Sequence, residues 1–185
     1  DMSAFAKCEI SGPGAEAWLD QLLTNAVPKK VGRVTLSYLL TNKGGVRSEF
    51  TVYKVAPQRY YLVSAGAYER HDHDYLKKAL PRDGSVSFER LTTAMGVLVL
   101  AGPRSRDVLA KLTDADLSNE AFPWLTGKKI SIGLAQVDAL RVNFIGELGW
   151  EIHHPIEMQN YIFDRLMEAG AEFEIKPFGI RAMTS

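Results

Sequence analysis

The sequence predicts an α+β fold, with mixed or antiparallel sheets against which helices pack. Three observations lead there. Runs of two or three strand-like segments are separated by single amphipathic helices, whereas a doubly wound sheet would alternate strand and helix one for one. Asn42-Lys43-Gly44-Gly45 lies between two strand-like runs and supplies the turn chemistry of a hairpin. The 185 residues are 46% hydrophobic and 24% charged, the range of a globular chain long enough to bury a core, which excludes disordered and collagen-like structure.

Ala4, Ala6, Cys8 and Ile10 alternate with Phe5, Lys7 and Glu9, so the stretch from Asp1 to Ile10 reads as a strand. Ser11 or Gly12 caps a helix with Pro13 in its first turn, and Ala15, Trp18, Leu19, Leu22 and Leu23 form its apolar stripe. From Val34 to Thr41 the chain is apolar enough for a buried strand. Its hairpin partner alternates Val46, Ser48, Phe50 and Val52 with Arg47, Glu49, Thr51 and Tyr53. A further strand from Tyr60 to Ser64 precedes a helix from about Ala67 to Leu80, which Pro81 and Gly84 end. Short strands are expected around Val86 and Phe88 and from Val97 to Leu100. Gly102-Pro103 then opens a helix from Arg104 to Leu112, with Val108, Leu109 and Leu112 inward. Strands are expected from Ile130 to Ile132, from Val137 to Phe144, and through Trp150 and Ile152 after the turn Gly146 to Gly149. An amphipathic helix from Ile156 to Ala169 carries Met158, Ile162, Leu166 and Ala169 on one face. Phe178 to Ser185 reads as the opening of another helix. No internal repeat or low-complexity linker is visible. A single domain over residues 1–185 is expected, with ends that read as cut from a longer chain.

Composition narrows the function. Lys plus Arg equals Asp plus Glu at 22 each, so no basic excess exists to neutralise a phosphate backbone, and no nucleic-acid partner is expected. The single cysteine, Cys8, excludes an internal disulfide and a cysteine-rich metal site. No apolar run approaches the roughly 20 residues that span a bilayer, and no secretory signal opens the chain, so no membrane association is expected. A soluble intracellular protein is expected, cytoplasmic or, in a eukaryote, in the mitochondrial matrix. Neither a strand–GxGxxG–helix context nor a GxxxxGK[ST] loop is present, so these residues should bind neither flavin nor nucleotide by those devices. The GxSxG elbow of serine hydrolases is also absent.

Two clusters carry candidate chemistry. In His71-Asp72-His73-Asp74, side chains two apart on a helix point to different faces and cannot chelate one ion, and His153 and His154 face opposite sides of a strand, so no metal site is assigned. Asp72, however, shares a helical face with Tyr68 and Leu76. A carboxylate partly turned toward apolar neighbours is a candidate proton shuttle, the alternative being an ordinary exposed surface aspartate. In Gly146-Glu147-Leu148-Gly149-Trp150-Glu151, two glycines bracket Glu147 between strands, where a backbone can approach a flat ligand closely. Phe144 and Trp150 offer aromatic faces nearby. A carboxylate accepts two hydrogen bonds side by side, which suits a guanine or pterin ring with adjacent N–H and NH2 donors; the alternative is a turn with a solvated glutamate.

The run from Arg141 to Glu151 resembles the R-x-S-Y-T-G-E-x-G-x-E signature of the folate-binding aminomethyltransferase family, that of the T-protein of the glycine cleavage system. Leu40 to Val52 resembles the family's hairpin, and Tyr61 to Asp72 the segment leading to its catalytic aspartate. Val99-Leu100-Ala101-Gly102-Pro103 with Arg106-Asp107-Val108-Leu109 resembles its G-P-x-A-x-x-V-L stretch. Ser64-Ala65-Gly66-Ala67 in place of Asn-Ala-x-Asn, His71 before Asp72, and Leu148-Gly149-Trp150-Glu151 look more like the folate domain of dimethylglycine and sarcosine dehydrogenases. Two departures stand out. Phe144 occupies the signature's tyrosine position, and the chain stops before the family's L-R-x-E segment, with its folate-holding arginine, and the C-terminal barrel.

The resemblance implies a tetrahydrofolate-dependent transfer that captures a methylamine-derived carbon as 5,10-methylenetetrahydrofolate. It implies Asp72 as the catalytic proton-transfer residue, and Glu147 with Phe144 as the folate-binding residues. FAD is implied only in an upstream oxidoreductase domain that these residues do not contain. The alternatives are a stand-alone glycine cleavage aminomethyltransferase and a non-catalytic folate-binding scaffold.

Overall fold

The computed structural model describes residues 1–183; Thr184 and Ser185, the end of the segment read as an opening helix, lie outside the described residues. The chain divides into two compact units, residues 4–92 and residues 1–3 with those from Thr93 onward. Both are α+β and every strand pairing is antiparallel.

The first unit contains β1 (Ala6–Ser11), α1 (Ala15–Leu22), β2 (Val34–Leu40), β3 (Val46–Ala56), β4 (Arg59–Ser64), α2 (Glu69–Ala79) and β5 (Ser87–Arg90). Its sheet runs β2-β3-β4-β1-β5. The pairing Cys8↔Leu62 and Ile10↔Tyr60 puts these four side chains on the face that also carries Phe50 and Val52. Trp18 and Leu19 of α1 and Leu76 of α2 close that core. Full burial of each Leu or Ile contributes roughly 1.5–3 kcal/mol. The two helices are tied where the Trp18 indole donates to the Ala79 carbonyl at 2.9 Å. The strand expected from Asp1 starts only at Ala6, because the ladder to β4 begins at Ala6↔Ser64 and residues 1–3 belong to the other unit.

One charge network in this unit is testable by acid. Glu16 accepts from Lys54 Nζ and Tyr60 Oη at 2.7 Å each and from Lys29 Nζ at 3.0 Å. Lys54 first, then Tyr60 and Lys29, hold its carboxyl down at about 2, against an ordinary value of 4.5. A carboxyl depressed on folding stabilises fully above pH 4.5, and that contribution is lost as pH falls through 2. Glu16→Gln is therefore expected to lower the urea midpoint at pH 7 and to flatten its decline over that acid range. A mutant whose profile merely parallels the parent's would remove this role.

The second unit contains β6 (Met95–Ala101), α3 (Ser105–Ala110), β7 (Gly127–Ile132), β8 (Ala135–Leu140), β9 (Gly149–Pro155), α4 (Gln159–Gly170) and the single turn α5 (Ile180–Met183). Its sheet runs β6-β9-β8-β7. Leu98, Leu100, Trp150 and Ile152 face Leu109, Ile162 and Leu166 in one core. The strand expected to reach Phe144 stops at Leu140: the register still sets Arg141 opposite Thr126, to which its N–H donates, but its carbonyl accepts from Leu125 in a bulge where Leu125 takes φ +58°, and the Val142 N–H then turns back onto the Leu140 carbonyl.

The two units repeat one scaffold: strand, helix, three strands, helix, with the sheet orders β2-β3-β4-β1 and β7-β8-β9-β6. Across the first strand, both helices and the last strand of each scaffold, equivalent positions lie ninety residues apart; across the third strand they lie 87 apart. Gly12 and Gly102 make the same strand-to-helix corner at φ +118° and +121°, a left-handed backbone that favours glycine, each followed by proline. Cys8↔Leu62 corresponds to Leu98↔Ile152, and Ile10↔Tyr60 to Leu100↔Trp150. No repeat is visible in the sequence because few of the equivalent residues are identical, Gly12-Pro13 and Gly102-Pro103 among them. Two of the differences between the scaffolds bear on residues singled out in the sequence. A core position of α4, Ile162, is an aspartate in α2, Asp72. The two-residue link between β3 and β4 becomes eight residues, 141–148, between β8 and β9.

Candidate functional site

Both departures fall on residues singled out in the sequence. Asp72 is not an exposed surface aspartate: it is 0% exposed, standing where the duplicate scaffold has a core isoleucine. An ionised carboxylate survives there only if hydrogen-bonded. Ser48 of β3 donates to Oδ1, Ser64 at the end of β4 donates to Oδ2 at 3.0 Å, and Nδ1 of His71 lies 3.3 Å from Oδ1. The His71 side chain is 46% exposed and lines an open cleft of about 960 Å³ with Arg70, His73, Asp74 and Lys77. Asp72 is thus a buried carboxyl group enclosed by three partners, of which the imidazole alone lines that cleft. The thiol of Cys8 is inert: burial first, then the charges of Asp72 and Glu69, push it up.

Glu147 lies in the long connection of the second unit. Its start is pinned by the Arg141 bonds to Thr126 and Leu125. Its end is pinned where the Leu148 carbonyl accepts from Gly102 N–H at 2.8 Å and Ser105 Oγ at 3.0 Å. Between these anchors Asn143 Oδ1 accepts from Ile145 N–H at 2.9 Å, and Gly146 takes φ +77°. Glu147 is exposed and lines a cleft of about 400 Å³ with Trp124, Arg141, Asn143, Gly146 and Gly149. Within it the Asn143 side-chain amide nitrogen is buried and lacks a hydrogen-bond partner. Phe144 stands in the same connection, 64% exposed, but outside the lining of the cleft. Trp150 offers no aromatic face to a ligand, being fully buried in the core; Trp124, 68% exposed, does.

The cleft therefore gathers an acceptor carboxylate, an unpaired amide donor and an exposed indole. A reduced pterin presents neighbouring N–H and NH2 donors beside a carbonyl acceptor on a flat ring, and the residues present fit it. Sequence reasoning reached Glu147 but missed Trp124, which follows Pro123 in an irregular segment without pattern. It also passed over Asn143 and Arg141 although both lie inside the signature. Ser48 and Ser64 were hidden as partners because they sit 24 and 8 residues before Asp72. Asp72 and Glu147 belong to different units.

The GCVT N-terminal domain model matches residues 1–185. Dimethylglycine dehydrogenase, mitochondrial, of Mus musculus is 39% identical over 186 aligned residues, covering 100% of this chain and 21% of that protein. Sarcosine dehydrogenase, mitochondrial, of Homo sapiens is 32% identical over 200, covering 100% and 22%. The chain spans about a fifth of the length of these relatives. Among solved structures, the glycine cleavage system aminomethyltransferase T from Bartonella henselae superposes with a TM-score of 0.76 at 26% identity, over 90% of this chain and 44% of that one. Among the described residues no helix is long and apolar enough to cross a membrane.

Proposed function

The chain belongs to the GCVT N-terminal domain family, and from that premise we propose that residues 1–185 act as one tetrahydrofolate-binding domain that captures a methylamine-derived carbon. Tetrahydrofolate would supply the nitrogens that receive this carbon, giving 5,10-methylenetetrahydrofolate. Glu147 would accept from the donor edge of the pterin, and Asn143 would donate to its carbonyl. Trp124 and Phe144 would provide apolar faces for the rest of the ligand. Asp72, held by Ser48 and Ser64, would take up and return the protons displaced in the transfer, with His71 connecting it to the open cleft of its own unit. General acid–base groups of this kind contribute about 10²–10⁴-fold. The names of the relatives support a dehydrogenase domain elsewhere in the native chain, for which FAD is the cofactor proposed, and a mitochondrial location.

The single observation that carries the reading is the buried, unpaired Asn143 amide beside Glu147 in the cleft. The test is titration calorimetry of the native protein containing these residues with tetrahydrofolate. Saturable binding is expected, and Asn143→Ala should weaken it. Absence of saturable binding would overturn the proposal.

A further inference from the structure

We infer that Arg106 and Arg141 form a carboxylate-binding site on the second unit, one that takes a small carboxylate ligand not supplied by the chain itself. The duplicated scaffold reveals it. In the first unit, Glu16 of α1 sits at the centre of a network, bonded to Lys54, Tyr60 and Lys29, and the Lys54 ammonium lies 5.1 Å from the centre of the Tyr60 ring. Ninety residues on, Arg106 of α3 takes the place of Glu16 and Trp150 that of Tyr60. The ladders put Arg141 where Lys54 stands, since Val52 pairs with Leu62 as Ala139 pairs with Ile152. The stacking is kept: Arg141 lies 5.9 Å and Arg106 6.0 Å from the centre of the Trp150 ring.

What changes is the sign of one charge. The carboxylate of the first network has become a second cation, and no carboxylate replaces it. Both guanidiniums donate through Nη2 to one neutral acceptor, Asn119 Oδ1, at 2.7 Å each. Arg141 Nη1 donates to the Phe122 carbonyl at 2.5 Å. Among the described residues no Asp or Glu forms an ion pair with either arginine. Arg106 Nε is buried and lacks a partner. Burial, and then the charge of Arg106, push the Arg141 guanidinium down from its ordinary value, as expected of like charges brought together.

Guanidinium forks match a planar carboxylate edge to edge, and the equivalent position already holds one in Glu16, so a carboxylate is the occupant this scaffold is shaped for. The inference stands apart from the folate reading, although Arg141 also lines the Glu147 cleft. The probe is glutarate, added to the native protein at an ionic strength held constant with chloride and followed by tryptophan fluorescence, since both guanidiniums lie within 6.0 Å of the centre of the Trp150 ring. A saturable change is expected, weakened about tenfold or more in Arg106→Gln, the loss anticipated when one of two charge-assisted partners goes. Arg106→Glu restores the arrangement of the first unit, so it should lose the response and unfold at a higher temperature than the parent. Inorganic phosphate is expected to bind more weakly than glutarate. Identical titrations for parent and Arg106→Gln, a response that never saturates, or tighter binding of phosphate would overturn the site.

Discussion

Replacing Asp72 with asparagine is expected to slow formation of 5,10-methylenetetrahydrofolate by the native protein about 10²-fold or more, the usual scale for losing a general acid–base group, while folate affinity stays nearly unchanged. Asparagine has the shape of aspartate, so the pocket made by Ser48, Ser64 and α2 need not move. Its carboxamide oxygen keeps one serine as donor, and its NH2 finds the other serine's oxygen as acceptor. Ser48 has the Arg47 carbonyl at 2.9 Å as a further acceptor, so its hydroxyl is not stranded. What is lost is a group that holds a negative charge and exchanges a proton. Amine oxidation, proposed for an FAD domain elsewhere in the native chain, should proceed at its normal rate. The one-carbon unit would then escape as free formaldehyde, and its ratio to folate product is the measurement. A mutant that forms the folate product at the parent rate would leave the buried carboxylate with a structural role only.

Glu147→Gln is expected to weaken binding of tetrahydrofolate by about 1.5–3 kcal/mol, or roughly tenfold to a hundredfold, the loss typical of a charge-assisted hydrogen bond. Glutamine reproduces the length and shape of glutamate but replaces one acceptor oxygen with an NH2 donor. Facing the N–H and NH2 of a pterin, that donor meets donors, and one bond becomes a clash of like hydrogens. Because Glu147 is exposed and lies outside both cores, the substitution should not alter stability, which separates loss of contact from loss of fold. Titration calorimetry on parent and mutant decides it. Unchanged affinity would sink the anchoring role of Glu147 without touching that of Asp72.

Much of the fold follows from local pattern. The stripe Ala15, Trp18 and Leu19 and the pair Ile162 and Leu166 are buried as their spacing predicts, because 3.6-residue periodicity is a direct record of which face meets a core. Pattern fails where the determining contact is distant. Asp72 sits at a core spacing on α2, yet a charged residue reads as surface unless its partners are known, and Ser48 on another element cannot be seen from α2. Val142 and Phe144 look strand-like, but a bulge at Leu125 shifts the pairing at Arg141 and the Val142 N–H turns back onto the Leu140 carbonyl. Trp150 was expected to offer a ring to a ligand and instead fills the core, since nothing local distinguishes an inward from an outward tryptophan beside a turn. Glu147 could be singled out as a candidate, and it does line a cleft, because glycines flanking a carboxylate between strands are informative without any tertiary knowledge.

The assignment of Asp1–Ser3 to the second unit has a consequence for how the chain is made. Every strand of the first sheet lies between Ala6 and Arg90, so that sheet can close on the ribosome as soon as its own residues emerge. Met2 cannot settle then. Its N–H donates to the Val97 carbonyl at 2.8 Å, Ser3 Oγ accepts from the Val97 N–H at 3.0 Å, and the Met2 side chain is buried. β6, which receives them, is translated only after the whole first unit. The earliest three residues of this stretch are therefore among the last to find their places, and until β6 appears an apolar methionine stays open to chaperones and to oxidation.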